Sequence, residues 1–149
     1  MRTLAGAGAG FLLAVLWFDL MFDVQARGHA AAEVPAAVVS SIAAYYARVT
    51  TSARPMNRLI AATMLITIGA LGAELARGDL PAWRSLASLV LTLAAVGLAA
   101  SRTVPNAVRL GSQTDAAEQQ SHLARTILRD HIVCITAIIA VLLLQLAPA

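Results

Sequence analysis

Two carboxylates, Asp19 and Asp23, follow an apolar run from Leu4 to Phe18. Four residues apart on a helix, they share one face about a turn from each other and repel if both are ionised. Something of opposite character has to face them. The groups suited to that are Arg102, behind the third apolar run, and the tripeptide Arg129-Asp130-His131, at the start of the fourth. Imidazole titrates near neutrality and can take or give a proton, while guanidinium pairs with a carboxylate through two parallel hydrogen bonds. The set can therefore support proton transfer with charge stabilisation, or simply ion pairs that register helices. A metal is not expected. Glu118, His122, His131, Asp19, Asp23 and Asp130 are suitable ligand types, but no H-x-x-x-H or E-x-x-H spacing occurs, and Glu118 and His122 read as a helix-surface pair. Haem held by two histidines is disfavoured, because His29, His122 and His131 fall at span edges or in connections. Nucleophile-elbow, phosphate-loop and zinc-protease motifs are absent.

The elements that must carry these residues are membrane helices. Hydrophobic residues make up 59% of the 149 and charged ones 13%, more apolar side chain than a water-soluble core of this size can enclose. Spans are expected at about 4–24, 57–76, 82–101 and 129–147. The N-terminal run also resembles a secretory signal, but Asp19 and Asp23 interrupt it, so it reads as a retained first helix. Gly6 and Gly10 offer a small face for a neighbouring backbone. Residues 36–50, with Val38, Val39, Ile42, Tyr45, Tyr46 and Val49 at helical spacing, predict an amphipathic helix at the interface or across the helix ends. Gly78-Asp79-Leu80-Pro81 predicts a tight turn between the second and third spans, with Trp83 and Arg84 as interface anchors. Pro105 and Gly111 predict an irregular connection over Thr103–Thr114. Asp115 and Glu118 fit a D-x-x-E cap for a long last helix, 115–147, whose first half is polar and leaves the membrane. The fold class is thus an all-α membrane four-helix bundle with one extra interfacial helix and an extended C-terminal helix.

This topology brings Asp19 and Asp23 to the same level as Asn57, Arg58, Arg102, Arg125, Arg129, Asp130 and His131. Candidate binding residues in this polar pocket are Asp23, Arg58, Arg102, Arg129 and Tyr45. Glu74 belongs to the opposite end and is expected to pair with Arg77 or meet headgroups. No acid is placed at the bilayer midplane, where a transporter would want one. The basic residues are all Arg. Arg27, Arg48, Arg54, Arg58, Arg102, Arg109, Arg125 and Arg129 fall on one side, and Arg2, Arg77 and Arg84 on the other. In a bacterial inner membrane this bias puts both termini outside the cytoplasm. The net charge of +3 thus reflects topology, and nucleic acid is not an expected partner. Cys134 is the only cysteine, which excludes an intrachain disulfide, and its setting predicts a buried thiol.

The order of features resembles the anthrone oxygenase-like family of small four-helix membrane proteins. The residues that carry the likeness are Ala53-Arg54-Pro55-Met56-Asn57-Arg58-Leu59, Val104-Pro105-Asn106-Ala107 and Arg129-Asp130-His131. The acidic pair in Trp17-Phe18-Asp19-Leu20-Met21-Phe22-Asp23 departs from that family's pattern. The resemblance implies oxygen insertion into a reactive phenolic carbon without metal or flavin, hence no cofactor, on a hydrophobic aromatic substrate arriving from lipid. On it, His131 is the general base, Asp130 or Asp19 orients it, and Arg129 or Arg102 stabilises the developing enolate. The small-residue faces, including Gly69, Gly72 and Gly97, equally suit a non-catalytic subunit of a larger membrane complex or a homo-oligomer.

Overall fold

The computed structural model describes residues 1–28, 33–52 and 54–148, Arg54 by its backbone alone. His29 and Ala53 lie outside the described residues. The rest is helical, with no strand among the described residues: α1 (Arg2–Asp23), α2 (Ala36–Ala47), α3 (Arg54–Arg77), α4 (Ala82–Leu98), α5 (Val104–Ser112) and α6 (Ala117–Leu146). Short wide π-helical turns follow α2 (Arg48–Ser52) and α4 (Ala99–Thr103). Four stretches are long and apolar enough to cross a membrane, Arg2–Ala26, Pro55–Arg77, Ala82–Ser112 and Ala117–Leu146, so the chain has the make-up of a multi-pass membrane protein.

The distribution of side chains fits that solvent. Leu65, Trp83, Leu143 and Leu146 are between 65% and 72% exposed, whereas Thr67, Ser85, Ser88 and Thr92 have no exposure at all. Water would reverse this arrangement; hydrocarbon permits it, because packing of small and hydroxyl-bearing residues drives helix association in lipid. Thr67 and Thr92 bond the carbonyls of Thr63 and Ser88, one turn back, so neither brings an unpaired hydroxyl inside.

The spanning helices form a square. α1 packs on α3 and α6, and α4 packs on the same two, so α3 and α6 face each other across the diagonal. Leu12, Leu16, Ala95, Cys134, Ile138 and Val141 line the seams near the middle, and Ala5, Ala70 and Leu71 pack lower down. The α3–α4 turn forms as expected: Gly78 takes φ +69° and its N–H bonds Glu74 O, while Pro81 caps α4 one residue before its first turn. α2 buries Val39, Ile42, Ala43 and Tyr46 against Ala107 and Leu110 of α5 and Leu123, Ala124, Ile127 and Leu128 of α6. It therefore packs on α5 and on the first half of α6.

Several local expectations are corrected. Thr103–Thr114 is not irregular. Pro105 falls in the first turn after the wide Ala99–Thr103 turn, where its missing N–H is least needed, and α5 continues to a left-handed Gln113 at φ 53°. Gly111 is a packing residue rather than a breaker, since a Cβ there would lie 2.8 Å from Ala47 N. Asp115 does not cap α6; its carboxylate takes two 2.7 Å bonds from Arg109, whose guanidinium holds it below the usual carboxylate range, and Ala116 occupies the cap. The close approach of α1 to α3 is at Gly8, against Thr67, while Gly6 and Gly10 face open space. Arg84 is not an interface anchor but is buried, and with Arg2 it donates to carbonyls at the end of α6, Leu144 and Gln145, and just past it, Ala147 and Pro148, where positive charge suits the helix dipole. Glu74 is fully buried and bonds Ser85 and Gln145 in place of Arg77.

The two glycine environments set opposite outcomes for the same substitution. Alanine gains about 1 kcal/mol of helix propensity, but overpacking against a backbone costs about 1–3 kcal/mol. Gly111→Ala should therefore lower the thermal midpoint in detergent, whereas Gly97→Ala, which meets nothing within 4 Å, should hold or raise it.

Candidate functional site

Asp23 closes the last turn of α1 and has no exposed surface. A carboxylate so placed needs donors on both oxygens. Tyr46 Oη donates to Oδ1 at 2.7 Å, and His131 Nδ1 lies 2.6 Å from Oδ2. One turn earlier, Tyr45 Oη donates to Asp19 Oδ1 at 2.6 Å, and Asp19 Oδ2 is 3.9 Å from His131 Nε2. Consecutive tyrosines thus serve carboxylates four residues apart, with the imidazole between the two acids. Tyr45 is fixed by stacking on Phe22, with ring centroids 4.0 Å apart and planes 9° from parallel. Burial, then the neighbouring carboxylates, pushes both phenols well above the ordinary tyrosine range. They remain donors, which leaves the imidazole and the two carboxylates as the proton-accepting groups of the network. With Nδ1–H directed at Asp23, the ring presents Nε2 on the side of Asp19.

Asp130 is turned elsewhere. It is fully buried and held by Arg102 through both oxygens, Nε to Oδ2 at 2.8 Å and Nη2 to Oδ1, with Thr103 Oγ1 3.4 Å from Oδ2. Arg102, about half exposed, reaches in from the wide turn after α4. Arg58 and Arg129 are exposed and do not line the cavity described next. Of the sequence-derived set, the structure gathers Asp19, Asp23, Tyr45 and His131 into one network. It ties Arg102 and Asp130 into a separate pair and leaves Arg58 and Arg129 outside both. Tyr46 was missed as a site residue, although its place on the buried stripe of α2 with Val39 and Ile42 was readable. Cys134 is buried, with Sγ 3.6 Å from Ala95 O.

Inside the square, at the level of this network, lies a cavity of about 360 Å³. Its walls are Leu12 and Leu16 of α1, Ile60 and Met64 of α3, Ala95 and Val96 of α4, and Ile138 of α6. Asp19, Tyr46, His131, Thr50, Asn57 and Thr103 give it polar character, so a mainly apolar space meets a few polar groups, the usual make-up of a small-molecule site. Asn57 donates one amide N–H to Val49 O at 2.7 Å and so holds the turn between α2 and α3 against the cavity. Among the described residues no three His, Cys, Asp or Glu side chains converge as metal ligands.

Neither a scan against protein-family models nor searches of curated proteins and of solved structures finds a match to this chain.

The Arg102–Asp130 pair can be tested apart from the cavity. Removing the half-exposed cation strands the buried charge of Asp130. Arg102→Leu should lower the detergent thermal midpoint, and adding Asp130→Asn should recover part of the loss; equal midpoints for wild type and Arg102→Leu would show that the pair carries no weight.

Proposed function

We propose that the chain binds a lipophilic aromatic molecule bearing an acidic hydroxyl or an activated C–H, and that His131 takes the proton. The observation that carries this reading is His131, held by Asp23 behind it, on the wall of a largely apolar cavity. Asp23 fixes the tautomer, Nε2 accepts the proton, and the imidazolium formed lies between two carboxylates. Orienting the base thus belongs to Asp23, with Asp19 on the far side of the ring, and not to Asp130. Arg102 is committed to Asp130 and the Thr50 hydroxyl to the Tyr46 carbonyl, so a substrate oxygen would find its donor at the second amide N–H of Asn57. The reaction suggested by the family resemblance is the proposed outcome: without metal or flavin, dioxygen adds to the carbon activated by proton loss, and the resulting hydroperoxide loses water to leave a carbonyl. The proposed setting is a bacterial inner membrane, with the arginine-rich connections in the cytoplasm and both termini outside.

A second reading has its own observation. Gly6, Gly10, Gly69, Gly72 and Gly97 all face open space, which suits close packing against a second copy or a larger membrane partner. Mass measurement in mild detergent separates the cases: a stoichiometric partner with no bound small molecule supports an accessory subunit.

An alkyl-substituted 4-nitrophenol, whose absorbance reports its phenolate, tests proton removal. Wild type should bind it as phenolate. His131→Gln should abolish the phenolate signal, and Asp23→Asn should weaken binding about 10- to 100-fold, the worth of a hydrogen bond to a charged group. Unchanged phenolate formation in His131→Gln would sink the assignment. Oxygen uptake with a lipophilic naphthol as substrate tests the oxygenation step, which should be lost in the same variant.

A further inference from the structure

The cavity is not sealed on every edge of the square. Near their connecting turn α3 and α4 are joined by Ser85 with Glu74 and by Leu89 with Ala70 and Leu71. Farther along they part: among the described residues, no Cα of α3 comes within 8 Å of α5 or of the wide turn Ala99–Thr103. Ala61 of α3 and Val104 and Val108 of α5 line the cavity and are exposed on the outside, whereas every other lining residue is buried or half-buried. Ala61 belongs to this edge by helix geometry, since Ala70 meets Ala5 of α1 and a residue nine positions earlier points about 180° away. The wide turn Arg48–Ser52 touches both α3 and α5 and closes the gap at its far end. What remains is a window in the side of the bundle. Both of its flanks lie in stretches apolar enough to cross a membrane, and the cavity residues they supply, Ile60, Ala61, Met64, Val96, Val104 and Val108, carry no charge. Leu59, beside Ile60, and Leu93, one turn before Val96, are exposed, so the window faces hydrocarbon.

We propose that a ligand enters the cavity sideways from the bilayer through this window, hydroxyl first, and leaves an alkyl tail lying in it. The inference rests on the reading of the cavity as a site for a lipophilic acid deprotonated by His131. The direction follows from the square. The window is on the α3–α4 edge, while Asp19 and His131 stand on α1 and α6, which form the opposite edge. A ring whose hydroxyl reaches His131 has therefore crossed the square, and the end of the ring away from the hydroxyl points back to the window. A chain attached at that end stays in a lipid-like setting and costs nothing to accommodate. A chain attached beside the hydroxyl is driven against the buried wall of Leu12, His131, Cys134 and Ile138, where the packing leaves no room for it. Ala61 and Val108, small side chains on the two sides of the window, then set what passes.

The test uses the full chain in lipid nanodiscs and two pairs of chromogenic phenols, with protein-free nanodiscs subtracted: 2-methyl- and 3-methyl-4-nitrophenol, and 2-dodecyl- and 3-dodecyl-4-nitrophenol. The 3-position lies toward the end of the ring away from the hydroxyl, and the 2-position is beside the hydroxyl. Both methyl compounds should bind as phenolate with similar affinity. The 3-dodecyl compound should do the same, and its 2-dodecyl isomer should bind about tenfold more weakly or worse, because its chain overpacks the far wall. Ala61→Trp and Val108→Trp, substitutions at exposed positions that leave the core intact, should each slow the appearance of the 3-dodecyl phenolate about tenfold at equal probe-to-lipid ratio. Ala62→Trp, exposed beside Ala61 but not lining the cavity, should leave it unchanged. Equal binding of the two dodecyl isomers, or unslowed entry in both tryptophan variants, would overturn the window while the methyl compounds still report the site. Absence of phenolate with all four probes would instead remove the His131 reading, and the window with it.

Discussion

A carboxylate sealed from water inside a helix bundle must be surrounded by donors, and Asp23 obtains its donors from two different helices. Tyr46 reaches it from α2 and His131 from α6, one to each oxygen. Because lipid supplies no competing hydrogen bonds, these contacts cannot be exchanged for solvent as they could be on a soluble surface. Asp23 therefore fixes three things together: the position of α2 on the bundle, the register of α6 against α1, and the orientation of the imidazole on the cavity wall. The apolar contacts of Val39, Ile42 and Ala43 with Ile127 and Leu128 hold α2 in place, but apolar contacts alone would tolerate sliding. The directional bonds select one register.

The two halves of the square use polar groups in opposite ways. At the turn end, Gln145 crosses the diagonal to Glu74, so α3 and α6 are tied through side chains although their backbones are not neighbours. At the Asp23 end no such tie among the described residues closes the diagonal, and the space between Ile60, Met64, His131 and Ile138 stays open as the cavity. A bundle closed at one end and open at the other can hold a guest without losing its packing, since α1 and α4 each bridge α3 and α6. Small side chains contribute to both halves: Gly8 lets α1 meet Thr67, and Ala95 and Ala99 thin the α4 wall beside the cavity.

The helices were legible because hydropathy and length act locally, and their ends fall within a few residues of expectation except after the third, where the chain stays helical. There Pro105 reads as a break, since the effect of a preceding wide turn is not written in the residue types. The acidic pair was legible as a focus for the same local reason, two charges on one helical face. Its partners were only partly so. Arg129, Asp130 and His131 are adjacent in sequence, and nothing in the order says which faces inward, because that depends on the rotation of α6. Glu74 was misplaced by the same blind spot: proximity in sequence favoured Arg77, whereas packing turned the side chain toward α4 and α6.

That rotation has an identifiable cause. Consecutive residues on an α-helix point about 100° apart, so Asp130 and His131 cannot both face the same neighbour. Arg102 engages both oxygens of Asp130 from the turn after α4, and Thr103 adds a third contact, which pins the Asp130 face of α6 toward that turn. His131 is thereby directed to α1, where Asp23 completes the constraint from the other side. The wide turn at Ala99–Thr103 belongs to the same device, since it carries Arg102 and Thr103 and lets the helix continue through Pro105 into the surface that receives α2. The pair that sequence reasoning offered as a catalytic orienter and an enolate stabiliser thus works one step removed, holding the helix at the angle that keeps the imidazole on the cavity wall.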